Sequence, residues 1–196
     1  RGTYYVALGL MNQRIPAGDA FSREDLEAVV ADGHELGCHT YDHCHAWNTP
    51  ATEFERSVLR NREELERLLP GNRFESLSYP VALPRPATKR RVARLFPCCR
   101  SGGWSFNLGE VDAVNLQAIF LEKTGEDRTA MERLMQENAR AGGWLILATH
   151  DVDDHPTVFG CTPAYFRDVV QMALDSGAEV LPVGRAWQRV RLQAGG

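Results

Sequence analysis

The amino-acid sequence predicts an α/β domain built around a parallel sheet or an incomplete α/β barrel. Apolar runs of strand length alternate with stretches in which apolar residues recur at helical spacing, the pattern expected of such folds. Two histidines, His39 and His150, stand at the ends of predicted strands. Because functional residues of these folds gather at the carboxyl ends of the strands, both histidines are candidate functional residues.

The first half of the chain contains two predicted strand–helix units. An apolar run over 3–10 is the first strand, and Ser22 is the expected N-cap of a helix that ends at Gly33. The second strand is predicted over 35–39. A long amphipathic helix then follows over 52–69 and ends before a Pro-Gly pair.

The second half continues the alternation. Strands are predicted over 74–79, 144–149 and 179–181. Helices are predicted over 87–95 and 127–141, after the N-cap Thr162, and around Trp187. A glycine-rich connection over 97–115 carries Trp104 and Phe106. No repeat or flexible linker divides the chain, so we expect one domain over 1–196.

Composition and charge exclude several classes of partner. The 22 basic and 26 acidic side chains give a net charge of −4, which offers no basic field for nucleic acid. No apolar stretch approaches the roughly 18 to 20 residues needed to span a bilayer. The five cysteines are odd in number and irregularly spaced, which favours reduced thiols and with them a cytoplasmic location. No pattern indicates the oligomeric state.

A dense cluster of imidazoles and thiols lies over 33–45. His39 and His43 are four residues apart, so on a helical turn both rings would reach one divalent ion. The zinc-protease pattern H-E-x-x-H also has this spacing, but it needs Glu where this chain has Thr40. The alternative to a metal site is a pair of polar surface histidines near the start of a helix.

A structural zinc finger is a rival interpretation of the same cluster. Cys38 and Cys44 flank the two histidines, and thiolates bind Zn²⁺ tightly. A finger, however, needs a second well-spaced pair, and Cys98 and Cys99 are adjacent, which suits one tetrahedral ion poorly. His34 and His45 are expected to be surface groups or groups that support the ligands.

Several short motifs resemble those of the polysaccharide deacetylases, also called the NodB-homology domain or carbohydrate esterase family 4. Residues 39–43 resemble the second motif, H-[ST]-x-x-H, and 33–37 resemble the G-H-E-[IL]-G that precedes it. Residues 3–6 are similar to the strand A-T-F-F-V. Residues 77–80 resemble the F-[AS]-Y-P form of the third motif, and 147–151 resemble the fifth, a strand ending in His.

The resemblance implies a distorted (β/α) barrel of about seven strands that hydrolyses N-acetyl groups of amino sugars. It implies a divalent metal, usually Zn, although Co or another ion would suit the same ligands, and an N-acetylated glycan as the partner. By motif matching, His39 and His43 bind the metal and His150 protonates the leaving amine. The backbone N–H of Val81 would stabilise the oxyanion. Leu147 would line the acetyl-methyl pocket, or belong to the strand core.

Further candidates are less sharply defined by the motifs. Besides Leu147, the predicted substrate-binding residues are Tyr79, Pro80 and Trp104. For Trp104 two roles are open: its ring would stack on a sugar, or it would pack within its own loop. Predicted supporting residues are Arg100, Asp112 and Asp151. Their alternatives are a surface arginine for Arg100 and an ordinary loop acid for Asp151, and the sequence does not show whether Asp112 reaches His150.

The first motif of the family, T-F-D-D-G, does not occur in this chain. In relatives it supplies a metal-binding aspartate and the catalytic base, and it precedes the A-T-F-F-V-like strand. It would therefore fall before Arg1, and we expect the domain to lack its first strand and first motif. Two alternatives stay open: a non-catalytic carbohydrate-binding homologue, and a hydrolase of another C–N amide of the cyclic ureide or imide type.

Overall fold

The computed structural model describes residues 1–81 and 83–194. The strands are β1 (Thr3–Val6), β2 (Arg14–Ile15), β3 (Gly18–Asp19), β4 (Glu35–Cys38), β5 (Leu77–Ser78), β6 (Cys99–Arg100), β7 (Ile119–Phe120) and β8 (Leu147–Ala148). The α-helices are α1 (Arg23–Ala31), α2 (Ala51–Leu68), α3 (Pro86–Val92), α4 (Arg128–Ala141), α5 (Pro163–Asp175) and α6 (Val183–Ala194). Short 3-10 helices cover Leu8–Leu10 and Leu121–Thr124.

The central feature is a four-stranded parallel sheet in the order β1-β4-β5-β6. A parallel bridge between Arg100 and Leu116 continues the sheet beyond β6, and β7 and β8 form a further parallel pair. The strands β2 and β3 form a small antiparallel hairpin outside this arrangement. The predicted α/β fold with parallel strands is confirmed, and the carboxyl ends of the strands lie at one edge.

The helix boundaries follow from their capping residues. Ser22 accepts a hydrogen bond from the backbone of Asp25, and the Asp25 carboxylate accepts one in return from the Ser22 backbone. Thr162 caps α5 by accepting from the Tyr165 N–H, with Pro163 in the first turn. None of the helices among the described residues is long and apolar enough to cross a membrane.

Some predicted strands differ from the structure. The run 3–10 stops being a strand after Val6 and turns into a 3-10 helix. The strand predicted over 179–181 is wrong, because Val180 is exposed and the Glu179 carboxylate pairs with Arg189 of α6 at 3.0 Å. The connection over 97–115 contains β6, which is too short to produce a recognisable apolar period.

A buried asparagine joins the long helix α2 to the strands that carry the site. Asn61 is fully buried, and its Oδ1 accepts from the Leu8 N–H at 3.0 Å. Its amide donates to the Val6 carbonyl at 2.9 Å and to the Cys38 sulfur at 3.4 Å. These bonds satisfy backbone groups where β1 ends, and they hold β1 and β4 together just before His39.

The residue Glu35 ties the last helix to the centre of the sheet. Its carboxylate accepts hydrogen bonds from the N–H groups of Gly184 and Arg185 at 2.9 and 3.0 Å. These N–H groups belong to the first turn of α6 and have no partner within the helix. Thr3 supports the same junction, since its hydroxyl donates to Glu35 and accepts from the Val183 N–H. Glu35 therefore has a structural role.

We expect the Glu35→Ala variant to lose about 1 to 3 kcal/mol of unfolding free energy, because one buried and one partly buried N–H group of α6 lose their acceptor. Urea unfolding followed by circular dichroism measures this loss. Glu63→Ala, an exposed position on α2, is the matched control and should change stability by less than about 0.5 kcal/mol. Equal stability of the Glu35→Ala variant and the wild type would contradict the assigned role.

Candidate active site

His39 and His43 lie together just after β4. Their ring centroids are 4.8 Å apart, with the planes inclined at 69°. The segment is not the helical turn expected from the spacing, because Thr40 and His43 have φ values of +58° and +50°. The left-handed conformation of these two residues turns the chain back on itself. The rings are therefore brought together by a tight turn and not by the helical turn that was predicted.

The hydrogen bonding of His39 fixes its tautomer. Its Nδ1 lies 2.8 Å from the carbonyl oxygen of Ser78, and since a carbonyl only accepts, Nδ1 carries the proton. The lone pair is therefore on Nε2. A ligating histidine whose second nitrogen donates to a carbonyl is the usual arrangement in metal sites, because the bond fixes the orientation of the ring.

Electrostatics keep both rings neutral. Burial lowers the pKa of His39 to about 3, and charges on His43 and Arg100 act in the same direction. Burial also lowers the pKa of His43, with a further contribution from His150. Neutral imidazoles have the lone pairs that a metal requires, so the two side chains fit a divalent ion. Among residues 1–81 and 83–194, no group of three His, Cys, Asp or Glu side chains forms a metal cluster.

The buried thiols of Cys38 and Cys99 are poor zinc ligands in this fold. Cys38 is completely buried, and that burial raises the pKa of its thiol to about 11. Burial likewise raises the pKa of Cys99. A thiol in this state is protonated at neutral pH, whereas zinc binds the thiolate. These pKa shifts weigh against the zinc-finger interpretation.

His150 lies after β8, close enough to the first two histidines for its charge to lower both of their pKa values. Its ring stacks on Phe120, with centroids 5.5 Å apart, and meets Phe159 edge to face at 5.6 Å. Its Nδ1 donates to the Phe159 carbonyl at 3.1 Å. Nε2 is therefore the nitrogen left for a proton transfer, on a ring that two aromatic side chains hold in place.

The structure adds an acid that the sequence analysis missed, Glu122. It lies in the 3-10 helix after β7, and its Oε2 is buried without a hydrogen-bond partner in the described part of the chain. Burial raises the pKa of Glu122, and the charges of His150 and Lys123 oppose that shift. An isolated Glu in the sequence Leu-Glu-Lys carries no motif, so only the tertiary structure shows that it lies near enough to His150 for their charges to interact.

Arg100 is buried at the end of β6 and is not the surface arginine of the alternative interpretation. Its guanidinium carbon lies 4.6 Å from the ring centroid of Tyr5 and 5.3 Å from that of Phe120. Burial lowers the pKa of Arg100, and the charges of Tyr5 and Glu122 oppose this. Arg100 is therefore a buried positive charge that acts on both His39 and Glu122.

The other two predicted supporting acids have local partners. Asp112 pairs with Lys89 of α3 and accepts from the Val114 N–H, so its bonds in the described chain are not to His150. Asp151 accepts from both the N–H and the hydroxyl of Thr157, each at 2.7 Å. These bonds hold the loop after His150 in shape.

The residues at the third motif differ in burial: Tyr79 and Pro80 are buried, whereas Val81 is exposed. Tyr79 is buried in the core, and its hydroxyl donates to the Val114 carbonyl at 3.0 Å. Pro80 is also buried, and its carbonyl accepts from the Ala46 N–H. Val81 is 69% exposed, with φ at +68°. A β-branched residue in this region costs about 1 to 3 kcal/mol, and such strain is typical of functional sites.

The remaining two predicted substrate-binding residues lie on the other side of the site. Trp104 is 75% exposed in the loop after β6, and the Lys123 ammonium lies 5.0 Å from its ring centroid. Leu147 is half-buried in β8 and packs against the core cluster that includes Leu121 and Met131. Its position agrees with a strand core residue, and its contact with an acetyl group stays a prediction.

This parallel arrangement of β/α units, with histidines after β4 and β8, defines an α/β protein of parallel strands with its candidate site at their carboxyl ends. Residues 2–96 match the family model "Polysaccharide deacetylase". The match covers 95 of the 196 residues, just under half of the chain, and it confirms the resemblance found in the sequence. No curated protein sequence matches the chain significantly.

Two solved structures with TM-scores above 0.5 agree on the fold. The chitin deacetylase from the fungal pathogen Colletotrichum lindemuthianum has a TM-score of 0.63 and 16% identity, covering 94% of this chain and 74% of that one. An allantoinase has a TM-score of 0.53 and 15% identity over 85% and 63%. IcaB from Ammonifex degensii has a TM-score of 0.45 and 21% identity over 50% and 47%, so this chain spans less than half of its length. The predicted fold class is confirmed.

Proposed function

We propose that the protein is a metal-dependent hydrolase that removes N-acetyl groups from amino sugars of a polysaccharide or glycan. The observation that carries the proposal is the convergence of three histidines from two strand ends, at the edge of the sheet where such folds bind ligands. Two of them, His39 and His43, are neutral and lie side by side. The third, His150, is held by aromatic rings with one nitrogen left for proton transfer.

His39 and His43 are the residues that would hold the divalent ion, with Zn the expected metal. When bound, such an ion acts as a Lewis acid toward the acetyl carbonyl and lowers the pKa of a water molecule. Because the described residues supply two imidazoles and no third clustered ligand, we expect weak binding by these side chains alone.

The protein's own residues then act on the two ends of the amide. The Val81 N–H has no acceptor among the described residues, and in its strained conformation it donates to the developing oxyanion. His150 gives its Nε2 proton to the leaving amine. Glu122 and Arg100 place charges of opposite sign near these groups.

A second candidate function is glycan binding without catalysis. The lack of a three-ligand metal cluster in residues 1–81 and 83–194 favours it. Acetate release from N-acetylglucosamine oligomers, measured with Zn²⁺ and with a chelator, separates the two functions when it is run on the protein from the complete reading frame. Metal-dependent acetate release supports the deacetylase. Binding of the oligomers without release supports the second candidate, and hydrolysis of a cyclic ureide instead would indicate the other amide class.

We expect the Glu122→Gln variant to lower kcat about five- to tenfold, since it keeps the shape of the side chain and removes a charge near His150. Steady-state acetate release measures the effect. Glu110→Gln, at an exposed acid, is the control and should leave kcat unchanged. Full activity of the Glu122→Gln variant would show that the buried carboxylate only packs.

A further inference from the structure

Helix α2 places a buried serine against the turn that carries the two neighbouring histidines. Ser57 is only 5% exposed, and it lies on the face of α2 that otherwise packs apolar side chains such as Phe54 and Val58 into the core. A buried hydroxyl destabilises a protein unless it is hydrogen-bonded. The bonds that Ser57 makes therefore indicate what the residue does at this position.

The Ser57 hydroxyl uses its whole bonding capacity on this turn. Its Oγ accepts from the N–H of Tyr41 at 3.0 Å and from the N–H of Asp42 at 3.1 Å. Its own proton is donated to Oδ2 of Asp42 at 2.7 Å. Because a hydroxyl has one proton and two lone pairs, these three bonds saturate it. The Ser57 carbonyl also accepts from the Tyr41 N–H, at 3.1 Å.

The segment held in this way is the strained part of the site. Thr40 and His43 both have left-handed backbone conformations, which residues with a Cβ keep only where surrounding contacts fix them. Tyr41 and Asp42 lie between these two positions, and both of their N–H groups are bonded to α2. The turn between the histidines is therefore fixed by a side chain from another element.

Other contacts of the turn are more exposed to water. The Arg60 guanidinium carbon lies 3.7 Å from the Tyr41 ring centroid, and its Nη1 lies 3.5 Å from Oδ1 of Asp42. The side chains of Arg60 and Asp42 are both more than half exposed, so water and salt weaken this pair. On the opposite side, the Gly9 N–H donates to the Tyr41 carbonyl at 3.0 Å. Ser57 is therefore the buried side chain that holds the turn.

We propose that Ser57 is a positioning residue for the His39–His43 pair and that it acts through the turn between them. The inference rests on the proposed function, in which the two rings hold one divalent ion, and it deepens that function by assigning a residue that sets their separation. The ring of His39 is already fixed by the Ser78 carbonyl. Ser57 therefore acts mainly on the placement of His43.

Nuclear Overhauser spectra of the metal-free protein test the positioning directly. The two ring centroids are 4.8 Å apart, so the wild type should give cross-peaks between the ring protons of His39 and His43. We expect these cross-peaks to be lost in Ser57→Ala, because two N–H groups of the turn lose their acceptor. Isothermal titration with Zn²⁺ is the second measurement. Ser57→Ala should bind Zn²⁺ about tenfold more weakly, as expected for a residue that orients metal ligands.

Two control variants separate the role of the hydroxyl from a general loss of stability. Ser57→Thr keeps the hydroxyl and should keep both the cross-peaks and the Zn²⁺ affinity of the wild type. Glu35→Ala weakens the junction with α6 at the opposite end of β4, and it should leave both measurements unchanged. Equal losses in Ser57→Ala and Glu35→Ala, or retention of the cross-peaks in Ser57→Ala, would overturn the positioning role.

The same two measurements distinguish this inference from the proposed function. Loss of the cross-peaks in Ser57→Ala, together with no Zn²⁺ binding by the wild type, would contradict only the metal site. Zn²⁺ binding of equal strength by the wild type and Ser57→Ala, with the cross-peaks intact in both, would contradict only the positioning role.

Discussion

Replacement of His150 by alanine should reduce kcat for acetate release by about 10²- to 10⁴-fold, the usual contribution of a positioned general acid. The amine leaves poorly unless it is protonated, and the proposed function assigns this task to the imidazole of His150. Its Nδ1 is occupied by the Phe159 carbonyl and its ring is held by Phe120, so only Nε2 is left to act. We expect KM to change little, because the interaction develops in the transition state.

The matched control for this experiment is His155→Ala, which removes an exposed histidine from the same loop. It should keep wild-type kcat, since the His155 backbone bonds to Asp153 and its ring has no stacking partner among the described residues. A His150→Ala variant that retains more than about a tenth of the activity would contradict the assigned role. Equal losses in the two variants would indicate a general effect on the loop.

The parts of the fold that the sequence predicts correctly depend on local chemistry. Ser22 and Thr162 have short polar side chains that cap the next turn, so α1 and α5 begin where expected. The strands β6 and β7 are only two residues long and form because neighbouring strands pair with them. Two residues are too few to show an alternation of apolar and polar side chains, so the sequence does not predict these strands. The strand expected over 179–181 failed because an apolar run does not show whether a neighbouring strand is present to pair with it.

The parts of the site that the sequence predicts are those in which the spacing of the residues along the chain already brings them together. His39 and His43 do meet, although through left-handed residues and not through a helical turn. Glu122 and the stacking of Phe120 on His150 depend on contacts between distant elements, and no sequence pattern reports these. Glu35 is the opposite case, since it lies in the run 33–37 that precedes the histidine motif. Its carboxylate nevertheless has a structural role, because it holds the start of a helix 150 positions away.

Replacement of His39 by alanine should lower the affinity of the protein for Zn²⁺ by more than about 100-fold, since it removes one of the two imidazoles that lie side by side after β4. His39 is the better anchor of the pair. Its Nδ1–H is fixed to the Ser78 carbonyl, and its pKa of about 3 means that protons do not compete for Nε2 at neutral pH. The ring is therefore already oriented and deprotonated before an ion arrives.

Isothermal titration with Zn²⁺ measures this affinity directly and needs no substrate. His43→Ala should cause a comparable loss, because the two rings lie 4.8 Å apart and, under the proposed function, would hold one ion together. His45→Ala is the control from the same histidine-rich run, and it should bind Zn²⁺ like the wild type because its Nδ1 already accepts from the Trp47 N–H. If His45→Ala lost as much affinity as His39→Ala, the ion would be held by the run as a whole, and the two-histidine site would be wrong.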